Sequence, residues 1–169
     1  MSKIRNSVKI ILINEKSELL LLSTDDKKIR NSDGSYNGKF WQLVGGKIEE
    51  NETILQAAKR ELFEETGLKE IDVEFYPNIV WQGNLKLNIH GELNYINQKF
   101  LVAKTRKNKI SLKNLTFEEQ ASIKAFKWFS LDEIKQSTDI IYPMVLPEYL
   151  PNILNGKFPK NTIYIDLQK

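Results

Sequence analysis

The chain has 169 residues, 41% of them hydrophobic, and 25 lysines and arginines against 22 aspartates and glutamates give it a formal net charge of +3. This composition predicts one globular domain over residues 1–169, and its mild positive charge suits a small anionic ligand but falls short of a stable nucleic-acid partner. Cysteine is absent, which excludes disulfides and a cysteine nucleophile, and the lack of a membrane-length apolar stretch or signal-peptide core predicts a cytoplasmic protein with no membrane partner.

The N-terminal part of the chain predicts three strands. Residues 7–14 are rich in β-branched side chains, and residues 17–23 form their expected hairpin partner. The apolar run at 19–22 is typical of a strand that is covered on both faces. The polar segment 25–38 predicts a loop, and residues 39–44 a third strand that leads into Gly45 and Gly46.

Residues 53–66 predict an α-helix. The segment has no proline or internal glycine, Asn51 or Thr53 can cap its start, and Gly67 is placed to end it. Apolar residues spaced four apart predict an apolar stripe by which the helix packs against the rest of the fold, and Leu55 should widen this stripe. These are Ile54, Ala58 and Leu62.

Three glutamates of this helix, Glu61, Glu64 and Glu65, fall within an arc of roughly 100° because each residue advances the helix by about 100°. Like charges at this spacing destabilise a helix unless a cation joins them. Three carboxylates on one face suit a hard divalent ion such as Mg²⁺. A solvated acidic face is the alternative, against which the neighbouring Arg60 argues, since it can hold a carboxylate in a fork.

The second half of the chain predicts further strands. A strand within 71–82 should be broken near Pro77, residues 84–97 should be a loop with a strand in their second half, and 98–104 a stronger strand. His90, the only histidine, is expected at the surface. Four later elements complete an α+β fold with a mixed, partly curved sheet. These are a strand at 123–129, a helix capped at Ser130, a proline-interrupted helical segment at 142–154 and a strand at 162–167.

The glycine-flanked helix resembles the defining motif of the Nudix hydrolases. Its fixed positions occur at the family spacing, and they are Gly46, Glu52, Arg60-Glu61-Leu62, Glu64-Glu65 and Gly67-Leu68. The resemblance implies the Nudix α/β/α sandwich. It also implies a Mg²⁺ site, with Mn²⁺ as a possible substitute, whose ligands are Glu61, Glu64 and Glu65 with a backbone carbonyl at Gly45 or Gly46.

The resemblance also assigns supporting roles. Glu52 would support the metal site, and Arg60 would orient a glutamate through a salt bridge. Many relatives carry a catalytic glutamate in the loop before the last core strand, which makes Glu118 or Glu119 a candidate here. Glu61 is the other candidate for the base that accepts the proton from water.

The family resemblance implies hydrolysis of a phosphoanhydride bond in a nucleoside diphosphate linked to another moiety. The proline of the ADP-ribose group would fall near Gly83 and the tyrosine of the dinucleoside-polyphosphate group within 84–86, and neither is present. By elimination we expect a small-molecule nucleotide, either a nucleoside triphosphate or a modified nucleotide. ADP-ribose or a nucleotide sugar, and a non-catalytic nucleotide sensor, are the alternatives.

Aromatic side chains are the candidates for substrate contacts. Trp81, Tyr95 and Phe129 could stack a nucleobase, and each can equally be a core residue. Trp41 is expected in the core, with lining of the site as the alternative. Many relatives are dimers, so a homodimer is also open.

Overall fold

The computed structural model describes residues 3–168, and within them ten strands join one sheet and four α-helices flank it. The strands are β1 (Lys3–Ile13), β2 (Leu19–Thr24), β3 (Ile29–Asn31), β4 (Phe40–Lys47), β5 (Val73–Phe75), β6 (Trp81–Ile89), β7 (Glu92–Thr105), β8 (Ile123–Phe129), β9 (Ile140–Tyr142) and β10 (Ile163–Tyr164). The helices are α1 (Ile54–Thr66), α2 (Phe117–Ser122), α3 (Leu131–Gln136) and α4 (Leu146–Leu154).

Strand β1 lies at the centre of the mixed sheet. It runs parallel to β7 along its whole length and antiparallel to β4 on its other side. The first half of β4 pairs with β2 and its second half with β1, so the sheet curls at this point. As a result, Gly45 and Gly46 of β4 lie beside Lys9 and Val8 of β1.

Alternate side chains of the central strands enter two separate hydrophobic cores, because successive residues of a strand point to opposite faces. On β1, Ile10 packs in the core that includes Ala58 of α1, whereas Ile11 packs in the core that includes Ile134 of α3 and Leu150 of α4. The sheet therefore lies between helices, which confirms the predicted α+β sandwich. All six residues of β2 are buried, as its apolar run predicts.

One stretch predicted to begin as a loop is part of a long β-hairpin. Strands β6 and β7 pair from Trp81↔Phe100 to Ile89↔Glu92, so the loop predicted for the first half of 84–97 is wrong, whereas the strand predicted for its second half is present. His90 and Gly91 form the turn with φ of 53° and 82°, and His90 is exposed as expected. Two positive φ values suit the tight turns that match strand twist. The polar residues of these strands obscured the pattern because one side of the hairpin is open to solvent.

Other elements also differ from the sequence prediction. Strand β3 lies inside the predicted loop 25–38, where it gains hydrogen bonds by pairing with β6. Leu55 is 41% exposed and does not widen the apolar stripe of α1, since Ala57 and Ala58 let the helix approach the sheet along another line. The final strand covers only two residues of the predicted 162–167.

Several predictions of element boundaries are confirmed. The chain is interrupted around Pro77 between β5 and β6, the strand at 123–129 is present, and Ser130 caps α3 through a reciprocal pair of hydrogen bonds with Glu133. The helical part of 142–154 begins at Leu146. No helix within residues 3–168 has both the length and the hydropathy needed to cross a bilayer.

Candidate metal centre and active site

Helix α1 begins and ends at the residues that its local sequence indicates. The Thr53 hydroxyl accepts from the Gln56 N–H at 3.1 Å, and the Gln56 side chain accepts from the Thr53 N–H at 2.8 Å. Gly67 ends the helix with φ of 75°, and its N–H donates to the Phe63 carbonyl. Because both ends are held, the direction in which residues 61–65 project is set by the helix itself.

Three carboxylates from two helices converge beside the sheet. Glu61 and Glu64 of α1 and Glu119 of α2 each offer an oxygen, and these three oxygens lie within 4.8 Å of one another. Thr116 caps α2 through a reciprocal pair of hydrogen bonds with Glu119, so the predicted loop before β8 is in fact a short helix. Gly46 leaves room for Glu61 on the sheet side, since a β-carbon on Gly46 would lie 2.5 Å from Oε1 of Glu61.

Arg60 ties the carboxylates to the chain before the helix. Its Nε and Nη2 donate to the two oxygens of Glu52 at 2.8 and 2.9 Å, and its Nη1 donates to Glu61 at 2.9 Å and to Glu64 at 3.4 Å. Nη2 also donates to the carbonyl of Lys47 at 2.9 Å. The predicted salt bridge between Arg60 and a glutamate is therefore present. Arg60 also lowers the pKa of Glu52, which keeps that carboxylate charged.

Glu65 lies beneath the converging carboxylates and is 3% exposed. Its Oε1 accepts the backbone N–H of Gly45 at 2.7 Å, and it is not one of the three residues whose oxygens cluster. One of its oxygens thus connects the helix to strand β4. Its role as a metal ligand, and that of a carbonyl at Gly45 or Gly46, stay predictions.

Burial raises the pKa of the helix glutamates. The pKa of Glu61 rises to about 7 because of burial, although the Arg60 guanidinium opposes the shift. Burial also raises the pKa of Glu64, and it raises that of Glu65 well above its usual range, with the neighbouring Glu61 and Glu119 adding to the effect. Each shift has the same cause, since burial and like charges both disfavour the ionised form.

This donor set fits a divalent cation. Clustered carboxylate oxygens are the ligands that Mg²⁺ and Mn²⁺ accept, and a cation would supply the positive charge that the crowded glutamates lack. Arg60 balances the negative charge of Glu52 and part of the charge of Glu61, whereas Glu119 makes no ion pair among the described residues. Glu61, Glu64 and Glu119 are therefore the residues that could hold the ion, with Glu65 adjoining them.

A cavity of about 460 Å³ opens on the sheet beside this centre. Its polar wall includes Lys9, Gln42 and Gln98, and Leu85 and Leu87 contribute an apolar surface. Further walls come from the loop 29–38 and the segment 142–144. The volume lies within the range of roughly 300 to 1,000 Å³ that is usual for small-molecule sites.

The cavity meets the carboxylate centre at one point of the sheet. Lys9 lines the cavity and pairs with Gly45 across β1 and β4, and Gly45 donates its N–H to Glu65. Burial lowers the pKa of the Lys9 ammonium, while Glu65 and Glu61 oppose the shift. A ligand that fills the cavity would therefore have one end near the carboxylates.

The aromatic residues proposed to stack a base do not line this cavity. Trp81 and Phe129 are only 1% and 4% exposed, and both pack in the core beneath α4. Trp41 packs edge-on against Phe129 at 5.0 Å and donates its Nε1–H to Asp139. Tyr95 lies under the Lys86 amine at 5.2 Å. The burial of Trp81 and Phe129 argues against a stacking role, because neither ring has an open face.

Sequence reasoning missed the strand residues of the cavity wall. Lys9, Gln42 and Gln98 come from β1, β4 and β7, which are far apart in sequence and become neighbours only when the sheet forms. Lys9 did carry a signal, since it is a lysine directly between Val8 and the apolar run at 10–13. Gln98 carried none, because it lies between the polar residues Asn97 and Lys99.

A family model described as NUDIX domain matches residues 3–148. Curated relatives include an 8-oxo-dGTP diphosphatase of Buchnera aphidicola, which is 38% identical over 53 residues, or 31% of this chain and 43% of that protein. An RNA pyrophosphohydrolase of Pelagibacter ubique is 26% identical over 159 residues, covering 86% of this chain and 87% of that protein. The first of these alignments thus spans less than half of the relative.

Solved structures share the fold. A NUDIX hydrolase from Nitrosomonas europaea superposes with a TM-score of 0.62 at 18% identity, over 92% of both chains. At this identity the likeness concerns the arrangement of strands and helices. The family match, by contrast, includes the whole helix that carries Glu61, Glu64 and Glu65.

Proposed function

Because this chain belongs to the NUDIX domain family, we propose that it is a metal-dependent hydrolase that cleaves a phosphoanhydride bond in a nucleoside triphosphate or a modified nucleotide. The observation that carries the proposal is the convergence of Glu61, Glu64 and Glu119, whose oxygens lie within 4.8 Å. The cavity beside them has the volume for the nucleoside part of the substrate. The product of such a reaction is a nucleoside monophosphate or its modified counterpart.

The proposed cofactor is Mg²⁺, with Mn²⁺ as a substitute, held by Glu61 and Glu64, while Glu119 lies close enough to receive a proton from a water beside the ion. A divalent ion in this place supplies two effects, since it neutralises phosphate charge and lowers the pKa of a bound water. Arg60 holds Glu61 and Glu64 in position for this role. Glu52 acts through Arg60 and is a positioning residue.

Glu119 is the carboxylate that we assign as general base. Both Glu61 and Glu64 accept hydrogen bonds from Arg60 and would also bind the ion, so their oxygens are less available to receive a proton from water. Glu119 instead accepts the neutral N–H of Thr116 at 3.0 Å, which orients it without adding positive charge. Its proton would come from the water that attacks phosphorus, and Glu61 is the alternative base.

The reacting end of the substrate would lie where the cavity meets the centre. Gly46 lets the Glu61 carboxylate lie against the sheet, so a phosphate at this end of the cavity could approach that carboxylate. The nucleoside would lie deeper, against Leu85 and Leu87. This arrangement would put the phosphate chain across β4 at Gly45, with the Lys9 amine, which donates to Gln42, on the nucleoside side.

The test is phosphate and pyrophosphate release from a panel of nucleoside triphosphates, oxidised nucleotides, nucleotide sugars and dinucleoside polyphosphates. Each substrate is measured with Mg²⁺, with Mn²⁺ and with a chelator. We expect metal-dependent turnover of a triphosphate class, with kcat/KM in the range of about 10⁴ to 10⁸ M⁻¹s⁻¹.

Two other outcomes would redirect the assignment. Turnover confined to ADP-ribose or a nucleotide sugar would name a different substrate class at the same centre. Saturable binding without turnover across the panel would contradict hydrolysis and indicate a nucleotide sensor. Sensors have no need of converging carboxylates, which is why hydrolysis is preferred.

A further inference from the structure

Lys9 lines the cavity from β1, where it pairs with Gly45 of β4. Its Nζ donates to Oε1 of Gln42 at 3.2 Å, and Nε2 of Gln42 donates to Oγ1 of Thr24 at 2.9 Å. Thr24 is only 2% exposed, so its hydroxyl fixes the orientation of the Gln42 amide from the protein interior. The ammonium is thus held at a defined place in the cavity wall.

The ammonium keeps hydrogen-bonding capacity for a ligand. A lysine amine carries three donors and no acceptor, and Gln42 takes one of them in the part of the chain that the structure describes. A charged donor in a partly buried cavity wall is costly unless an acceptor satisfies it. The group that occupies the cavity next to Lys9 should therefore present an acceptor.

The position of Gln42 indicates which part of a bound nucleotide the Lys9 amine would contact, the base or the phosphate. Gln42 precedes Gly45 by three residues on β4, and Gly45 is the residue that binds Glu65 at the carboxylate end. By bonding to Gln42, the Lys9 amine is drawn toward the body of the cavity, where Gln98 also offers an amide without a side-chain hydrogen bond among the described residues.

We propose that Lys9 selects the nucleobase by donating to a carbonyl oxygen on its edge, with Gln98 pairing beside it. A 6-oxopurine presents an acceptor at the 6 position and a donor at N1, which match an ammonium and an amide oxygen. Adenine presents an amino group at the 6 position, so its donor would face the Lys9 donor. The proposal rests on the proposed function for the cavity being the nucleotide site.

The experiment compares inosine and adenosine monophosphates, which share sugar and phosphate and differ only at the 6 position and N1. Binding is measured by calorimetry with a chelator present, so that no turnover is involved. We expect the inosine nucleotide to bind at least about fivefold more tightly, since a good base contact discriminates by roughly 5- to 150-fold. Lys9→Met should remove most of that ratio.

The matched control is Lys99→Met, which removes a lysine next to Gln98 on β7 that does not line the cavity. It should leave the ratio within about twofold of the unmodified protein. Equal loss of both nucleotides in Lys9→Met would overturn the proposal, because it would indicate a phosphate contact. Equal binding, or absence of binding, of the two nucleotides by the unmodified protein would overturn it as well, whatever the turnover panel shows.

Discussion

Glu61 lies so close above Gly46 that a β-carbon on the glycine would come within 2.5 Å of Oε1 of the glutamate. Glu61 cannot easily move away, because its carboxylate also accepts from Arg60 at 2.9 Å. The absence of a side chain on β4 is therefore what allows the carboxylate of α1 to sit against the sheet.

Gly46→Ala should displace Glu61 and lower Mn²⁺ affinity about tenfold, the lower end of what loss of a supporting contact costs a metal site. The fold should survive, since the clash is with the end of a side chain. Calorimetric titration of Mn²⁺ measures the affinity. In a Glu61→Ala background the same substitution should have no further effect, and an additive loss would contradict the steric explanation.

Glu64→Gln should lower turnover by orders of magnitude while the protein stays folded. The change keeps the shape of the side chain but removes the charge with which it would bind a cation. Initial rates at saturating Mg²⁺ and a circular dichroism spectrum test this. Glu70→Gln, at a 72% exposed side chain in an ion pair with Lys59, is the control and should change the rate by less than about twofold. Unchanged activity in Glu64→Gln would contradict the metal assignment.

Glu119→Gln should reduce kcat by about 100-fold, within the usual contribution of a general base. The neighbouring Glu118 is exposed and lies outside the carboxylate cluster, so Glu118→Gln is a matched control one residue away. The two variants should differ in kcat far more than in thermal stability. Equal activity in both would remove Glu119 from the reaction.

Arg60→Met should destabilise the protein by about 2 to 3 kcal/mol, near the lower bound for breaking a buried ion pair, because Glu52 and Glu61 both lose their partner. Arg60→Lys should recover little, since an ammonium cannot make the two-bond fork to Glu52. Urea denaturation gives the free energies of unfolding. Lys59→Met, which breaks a more exposed pair with Glu70, should cost less than about 1 kcal/mol.

Metal-free protein should become less stable as pH rises from about 5 to about 8. The pKa of Glu61 is about 7 in the folded protein against 4.5 in its unfolded reference, so the folded state binds more protons in that interval. This contribution is complete below the unfolded pKa and is lost as pH passes the folded pKa, amounting to about 3 kcal/mol for Glu61 alone. Glu64 and Glu65 shift in the same direction.

Thermal unfolding with a chelator at about pH 5.5 and about pH 8 measures this pH effect. Glu61→Gln should reduce the difference between the two midpoints, because the amide does not titrate. Added Mg²⁺ should raise stability more at the higher pH, since a cation favours the ionised carboxylates. A midpoint that rises with pH in the chelated protein would contradict the assigned shifts.

Local patterns in the sequence were sufficient for the helix and its charges. The cap at Thr53, the stop at Gly67 and the i, i+3, i+4 spacing of Glu61, Glu64 and Glu65 all act within a few residues, and the structure has both helix ends as predicted. The buried strands β1 and β2 could be predicted for the same reason, since runs of β-branched and apolar residues are typical of buried strands.

Long-range contacts decided the rest. Glu119 lies beside Glu61 only because α2 is placed near α1 in the folded protein. No local pattern predicts the distance between two residues that are 58 positions apart in the sequence. Trp81 and Phe129 looked like base-stacking candidates, yet strand pairing and α4 enclose them. The cavity wall at Lys9, Gln42 and Gln98 likewise exists only where three strands meet in a curled sheet. A side chain's type and spacing are local properties, whereas its neighbours across a sheet are set by the folding of the whole chain.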